Sequence, residues 1–172
     1  KRFNLKLKCV LTDGSQPIGN GIGPVLELRD IISILKGNGP DDLKQKSIFL
    51  SAQIFELCKK TKKGKGEELA KQMIESGKAL EKFQQIVEAQ GGNLKTLDKT
   101  LSLAKFSKTI RANKNFKIKS IDNKEINLLA RMAGSPTNKK AGVYLYKHVG
   151  ETAKKGDKLL TIYSQSKKYL NE

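Results

Sequence analysis

Residues 12–24, Thr12-Asp13-Gly14-Ser15-Gln16-Pro17-Ile18-Gly19-Asn20-Gly21-Ile22-Gly23-Pro24, place four glycines and two prolines in thirteen positions. Neither a strand nor a helix runs through so many breakers, because glycine costs backbone entropy in both and proline removes a hydrogen-bond donor. Both flanks are patterned. Before the loop, Leu5 to Thr12 alternates in period two and reads as a strand. After it, Pro24 opens a helical pattern of Val25, Leu28, Ile32 and Leu35, with Gly37 as the stop. Strand, glycine-rich loop and helix are therefore expected in that order.

A loop of this kind could cradle phosphate on backbone N–H groups at a helix N-terminus. Its spacing fits neither standard fingerprint: Gly19 and Gly21 would require glycine at position 24, which is Pro, and no Gly-Lys-Ser/Thr follows. A tight structural connection is the plainer reading. Asp13, Glu27 and Asp30 are the carboxylates near it. A pair of them could serve as acid and base or hold a cation with loop carbonyls; the simpler roles are a cap and two solvated or paired helix charges.

Further along, Asp41-Asp42 supplies capping and dipole compensation for a helix whose Leu43, Ser47, Leu50, Ile54 and Cys58 trace one face. Glu67-Glu68 starts another through Met73, and Gly77 separates it from a third, Ala79 to Gln90, with Leu80, Phe83 and Val87 aligned. Residues 93–114 are polar and weakly patterned. Strands are expected from Phe116, over Ala141 to Val149 and over Lys158 to Tyr163, with a short helix at Glu125 to Ala133 and a turn at 150–157. This divides the chain at 92/93 into a partial α/β unit, one strand plus helices, and a β-rich α+β unit.

Charge enters here. Residues 1–92 carry 16 basic and 11 acidic groups, net +5, and residues 93–172 carry 18 and 6, net +12. Such an excess suits a nucleic-acid-binding module, and Tyr144, Tyr146 and Tyr163 could form a stacking platform for single strands. Against that, only four of the 34 basic residues are arginine, and strand aromatics more often pack in a core or interface. His148, the sole histidine, has no Ser or Cys nucleophile patterned around it, so a structural role is expected and no triad can be built. Cys9 and Cys58 are too few for a disulfide framework and read as reduced, buried thiols. Apolar runs are far too short to span a bilayer, and Lys1 to Thr12 lacks the hydrophobic core of a signal peptide, so a soluble, cytoplasmic protein is expected.

The run Thr12 to Gly19, followed by Gly21-Ile22-Gly23-Pro24-Val25-Leu26-Glu27, resembles the thymidine and pyrimidine-nucleoside phosphorylase family. Ala89-Gln90-Gly91-Gly92, Ala141 to Leu145 and Gly150 to Tyr163 resemble later stretches of the same family. The resemblance implies a C-terminal fragment of a homodimeric pentosyltransferase: residues 1–92 as the later part of its α/β domain, and residues 93–172 as its barrel-sandwich-hybrid C-terminal domain. It implies phosphorolysis of thymidine to thymine and 2-deoxyribose 1-phosphate, with inorganic phosphate as co-substrate and no organic cofactor. The family's phosphate-binding and base-binding residues lie N-terminal to the matched segment, so this chain alone is expected to be inert. One site carries over, a monovalent cation held by Ile18 and Gly21 carbonyls and by Asp30, which stands where relatives have Glu. Gly23-Pro24 resembles the longer branch that includes AMP phosphorylases, which makes AMP the second substrate reading. The C-terminal run also resembles lipoyl folds, and Lys124 follows Asp122-Asn123 near a turn as a carrier lysine would, but the Met-Lys-Met attachment pattern is absent.

Overall fold

A computed structural model describes residues 6–93 and 101–170. Its order is β1 (Gly21–Ile22), α1 (Pro24–Leu35), α2 (Asp41–Leu57), α3 (Gly66–Glu75), α4 (Lys78–Ala89), β2 (Phe106–Arg111), β3 (Phe116–Lys117), α5 (Asn123–Met132), β4 (Gly142–Leu145), β5 (Thr152–Ala153), β6 (Lys158–Ser164) and a 3-10 turn at Lys168–Leu170. The architecture is mixed α/β with antiparallel sheets. One sheet runs β1-β4-β6-β2, and β3 pairs with β5 in a second. No described helix is long and apolar enough to cross a membrane.

The larger sheet draws on both parts of the chain. Gly21 opposes Tyr144 and Ile22 opposes Val143, so two residues of the glycine-rich segment become its edge strand. Val143, Leu145, Ile162 and Leu160 point from one face onto Ala130 and Ala133 of α5 and its end, with Leu170 closing the core. Small alanines there let α5 approach the sheet closely. Asp122 caps α5 by accepting from the N–H groups of Lys124 and Glu125 at 2.7 and 3.3 Å.

Several expectations are corrected. Residues 6–12 form no strand, although they alternate as expected. A strand needs a neighbour for its backbone groups, none is offered among the described residues, and Leu7 and Leu11 stand exposed. Cys9 lies on that segment and is exposed, not buried. Cys58 is exposed as well, because the buried face of α2 runs through Ile48 and Ala52 and not through Leu50, Ile54 and Cys58. In α1 the buried face is likewise Val25, Leu26, Asp30 and Ile34. The helix limits are close to those expected; the faces are turned by about one residue because two apolar positions compete at each step.

Strand β2 falls in the stretch read as unpatterned. By register Phe106, Lys108 and Ile110 share the face of the strand that turns toward α5, and Lys108 donates to the Leu170 carbonyl at 3.0 Å. A lysine at an inward position hides the alternation. Lys124 lies in the first turn of α5 and not on a turn between strands, which removes the geometry of a carrier lysine.

Candidate functional site

The loop of residues 12–23 is a closed circuit of hydrogen bonds. Asp30, 6% exposed, turns Oδ2 toward the N–H groups of Asn20 and Gly21, both at 2.8 Å. Asp42 accepts from Gly19 N–H at 3.0 Å, and Glu27 accepts from Gly23 N–H at 2.9 Å. Four backbone donors that could have met a phosphate are thus held by three carboxylates on α1 and α2. Asp42 does this with Oδ2 while its Oδ1 accepts from the Leu43 N–H in the first turn of α2 at 2.7 Å; the N-cap itself, Pro40, has no side-chain cap bond. The Glu27 bond back to Gly23 is of capping-box type, closing the start of α1.

The glycines permit the close approaches. A Cβ on Gly21 would lie 2.5 Å from the Leu26 carbonyl carbon, and one on Gly142, on the adjacent strand, would overlap the Ile22 carbonyl oxygen. The turn of α1 therefore packs directly on the β1–β4 pair, which brings Asp30 under Gly21.

The outer half of the loop is tied to the β-rich part. The Asp13 carboxylate accepts from Ser15 N–H at 2.8 Å, and that bond holds it below its ordinary value of 3.8. Asn123 donates to the Gly14 carbonyl at 2.7 Å, Gln16 accepts from Val149 N–H at 2.8 Å, and Lys46 donates to the Asp13 carbonyl at 2.6 Å. Asn20 bridges to both Tyr144 Oη at 3.2 Å and His148 Nε2 at 2.9 Å. His148 therefore serves the loop, and its buried Nδ1 has no hydrogen-bond partner among the described residues.

Of the three sequence-derived cation ligands, Ile18, Gly21 and Asp30 all line one cavity of about 320 Å³, together with Pro17, Ile22 and Asn127. In a strand the N–H and C=O of one residue leave by the same edge, so the Gly21 carbonyl exits on the side that Asp30 faces. Glu27 lines the same cavity, so two carboxylates stand beside the loop carbonyls, oxygen donors of the kind that suit a hard ion; among the described residues no group of three His, Cys, Asp or Glu is placed to hold a metal. Asn20 had no signal of its own in the sequence beyond its place between glycines, and Asp42 was marked only as a helix-start charge, not as an acceptor for the loop.

Residues 117–172 match the family model of the pyrimidine nucleoside phosphorylase C-terminal domain. Across 98% of its length the chain is 44% identical to a putative thymidine phosphorylase of Legionella pneumophila strain Corby. The chain belongs to the pyrimidine nucleoside phosphorylase family. It is also 39% identical over 95% of its length to an AMP phosphorylase of Methanosarcina barkeri, and 40% identical over 96% to AMP phosphorylase 2 of Archaeoglobus fulgidus. It covers 32–33% of those three proteins, about a third of the length of the curated relatives it matches. In this chain the glycine-rich segment works as a strut: its donors are spent inside the fold, joining α1 and α2 to β4.

Proposed function

We propose that the chain is the C-terminal portion of a thymidine phosphorylase, a pentosyltransferase that cleaves thymidine with phosphate to thymine and 2-deoxyribose 1-phosphate. The observation that carries this is the 44% identity, over nearly the whole chain, to a protein named putative thymidine phosphorylase. In the reaction a phosphate oxygen bonds to C1′ as the bond from C1′ to the base nitrogen breaks. Such a displacement depends on positioning and charge stabilisation more than on a protein nucleophile.

On this reading residues 1–92 complete an α/β domain, residues 93–172 form a barrel-sandwich-hybrid domain, and the whole enzyme is a cytoplasmic homodimer. The Ile18 and Gly21 carbonyls with Asp30 would hold a monovalent cation, which neutralises the carboxylate and stiffens the loop. Phosphate and nucleoside are bound by residues outside this chain, which by itself is inert. The saturation of the Gly19, Asn20, Gly21 and Gly23 donors supports that assignment, since a phosphate would have to displace Asp30, Asp42 or Glu27. The second reading, an AMP phosphorylase, is favoured by the archaeal relatives of that name.

The test supplies a full-length protein containing this sequence with thymidine, uridine and AMP at fixed phosphate, beside the 172-residue chain. Thymidine turnover by the long protein and none by the short one is expected. Turnover of AMP alone selects the second reading, and phosphorolysis by the short chain overturns the placement of the catalytic residues.

A further inference from the structure

Side chains alternate across a sheet, so the face opposite α5 can be read from the register. Thr109 opposes Thr161, Tyr144 opposes Thr161, and Tyr163 opposes both Ser107 and Gly142. Tyr146, two residues beyond Tyr144, continues the row by donating its N–H to the Leu159 carbonyl. The sheet's outer face thus carries three tyrosines, two threonines and a serine. The Tyr144 and Tyr146 rings meet edge to face at 5.0 Å, and the hydroxyls of Thr109, Thr161 and Tyr146 are chained at 2.8 and 3.2 Å.

Cations stand at one end of this face. The ladder shifts register between Ile110 and Arg111, which breaks the alternation there and makes Lys158 the cross-strand partner of Arg111; Lys158 Nζ stands 5.4 Å from the centre of the Tyr146 ring, and Arg111 is anchored by a 2.8 Å bond to the Gly156 carbonyl. Like charges directly opposite in a sheet repel. Yet neither Arg111 nor Lys158 takes part in an ion pair among the described residues, and residues 99–121 contain seven basic and no acidic side chains.

We propose that this face binds single-stranded nucleic acid, with bases against Tyr144, Tyr146 and Tyr163 and phosphates on Arg111 and Lys158. Charge complementarity selects a polyanion. The tyrosines select one with exposed bases, because an anionic lipid surface or an acidic protein makes no particular use of a row of rings, and a duplex keeps its bases stacked inside. The proposal is independent of the phosphorylase reading.

Fluorescence anisotropy with a labelled 15-nucleotide single-stranded RNA, the matching duplex, heparin and phosphatidylserine vesicles tests it on the 172-residue chain. The single strand is expected to bind tighter than the duplex. R111Q/K158Q is expected to flatten the logarithmic salt dependence by about 1.4, two phosphate contacts on a single strand. Tyr146→Leu, or Tyr144→Leu if the first fails to fold, is expected to weaken binding about fivefold or more. A K60Q/K62Q/K63Q variant, on the α2–α3 connection, leaves binding unchanged. No binding at 50 mM salt, equal affinity for duplex or for base-free polyanions, or an equal loss in the K60Q/K62Q/K63Q variant overturns the proposal.

Discussion

The side-chain oxygen of Asn20 lies 2.9 Å from Nε2 of His148, 128 residues further along the chain. Because the Asn20 amide nitrogen donates to Tyr144 Oη, its oxygen faces the imidazole, and His148 must donate from Nε2. The neutral ring is then the Nε2–H tautomer with a bare, buried Nδ1. Long-range nitrogen–proton correlation spectra at pH 8 are expected to show that tautomer. The Nδ1–H pattern would mean the amide points the other way.

Asp30→Ala removes the acceptor of two backbone N–H groups in a nearly closed environment. Leaving buried donors unmet costs about 1–3 kcal/mol each, so urea unfolding is expected to show a loss of about 3 kcal/mol, with Asp30→Asn roughly half as damaging. A loss below about 1 kcal/mol in Asp30→Ala would mean the loop finds other acceptors.

Gly21→Ala drives a methyl into the Leu26 backbone, whose carbonyl carbon, oxygen and Cβ all lie within 2.8 Å of the new atom. No flexible side chain can yield there, so β1 must shift away from α1, at a cost of about 3 kcal/mol. Gly37→Ala is the comparison: nothing lies within 4 Å of its Cβ position, so its cost, from the φ of 90°, is backbone strain alone. Thermal melts that leave G21A at the wild-type midpoint would show that the contact relaxes freely.

Lys65 and Glu68 form an exposed pair at 2.8 Å at the start of α3. Glu68 is held below 4.5 and Lys65 above 10.5 by their mutual hydrogen bond. The Glu68 contribution is present above pH 4.5 and lost as pH falls through its lowered value; the Lys65 contribution is present below 10.5 and lost as pH rises through its raised value. The small stability gap between wild type and Glu68→Gln is therefore expected to be widest in the intervening range. It should vanish at both extremes and shrink in about 0.5 M salt. A gap that persists at pH 2 would assign the effect to something other than the ion pair.

Both thiols are exposed. A chromogenic disulfide reagent added to the native protein is expected to titrate two equivalents without denaturant. One equivalent or none would show that Cys9 or Cys58 is covered.

What the sequence disclosed, and what it withheld, follows from how local each signal is. The helices were legible because Pro24, Gly37, Glu67 and Gly77 punctuate them within a turn or two. The rotation of α1 and α2 was not: which of two adjacent apolar rows turns inward depends on where Gly21 and Gly142 let α1 settle, a contact between segments over a hundred residues apart. Strand β2 was hidden by an inward lysine whose partner, the Leu170 carbonyl, is 62 residues away. At the loop, the glycines and Asp30 announced a tight turn near a helix, but only the fold shows the backbone donors already spoken for. Tyr144, Tyr146 and Tyr163 were visible as an alternating set; that they share a face with Arg111 and Lys158 required the register.

The borrowed edge strand also limits how this molecule may be taken apart. Gly21 and Ile22 shield one side of β4, so a polypeptide starting after residue 92 would carry that row of amide and carbonyl groups bare, inviting self-association. Two halves produced separately are expected to be sticky alone and to re-form one particle when mixed, whereas a nick in the connection between α2 and α3 leaves the sheet untouched.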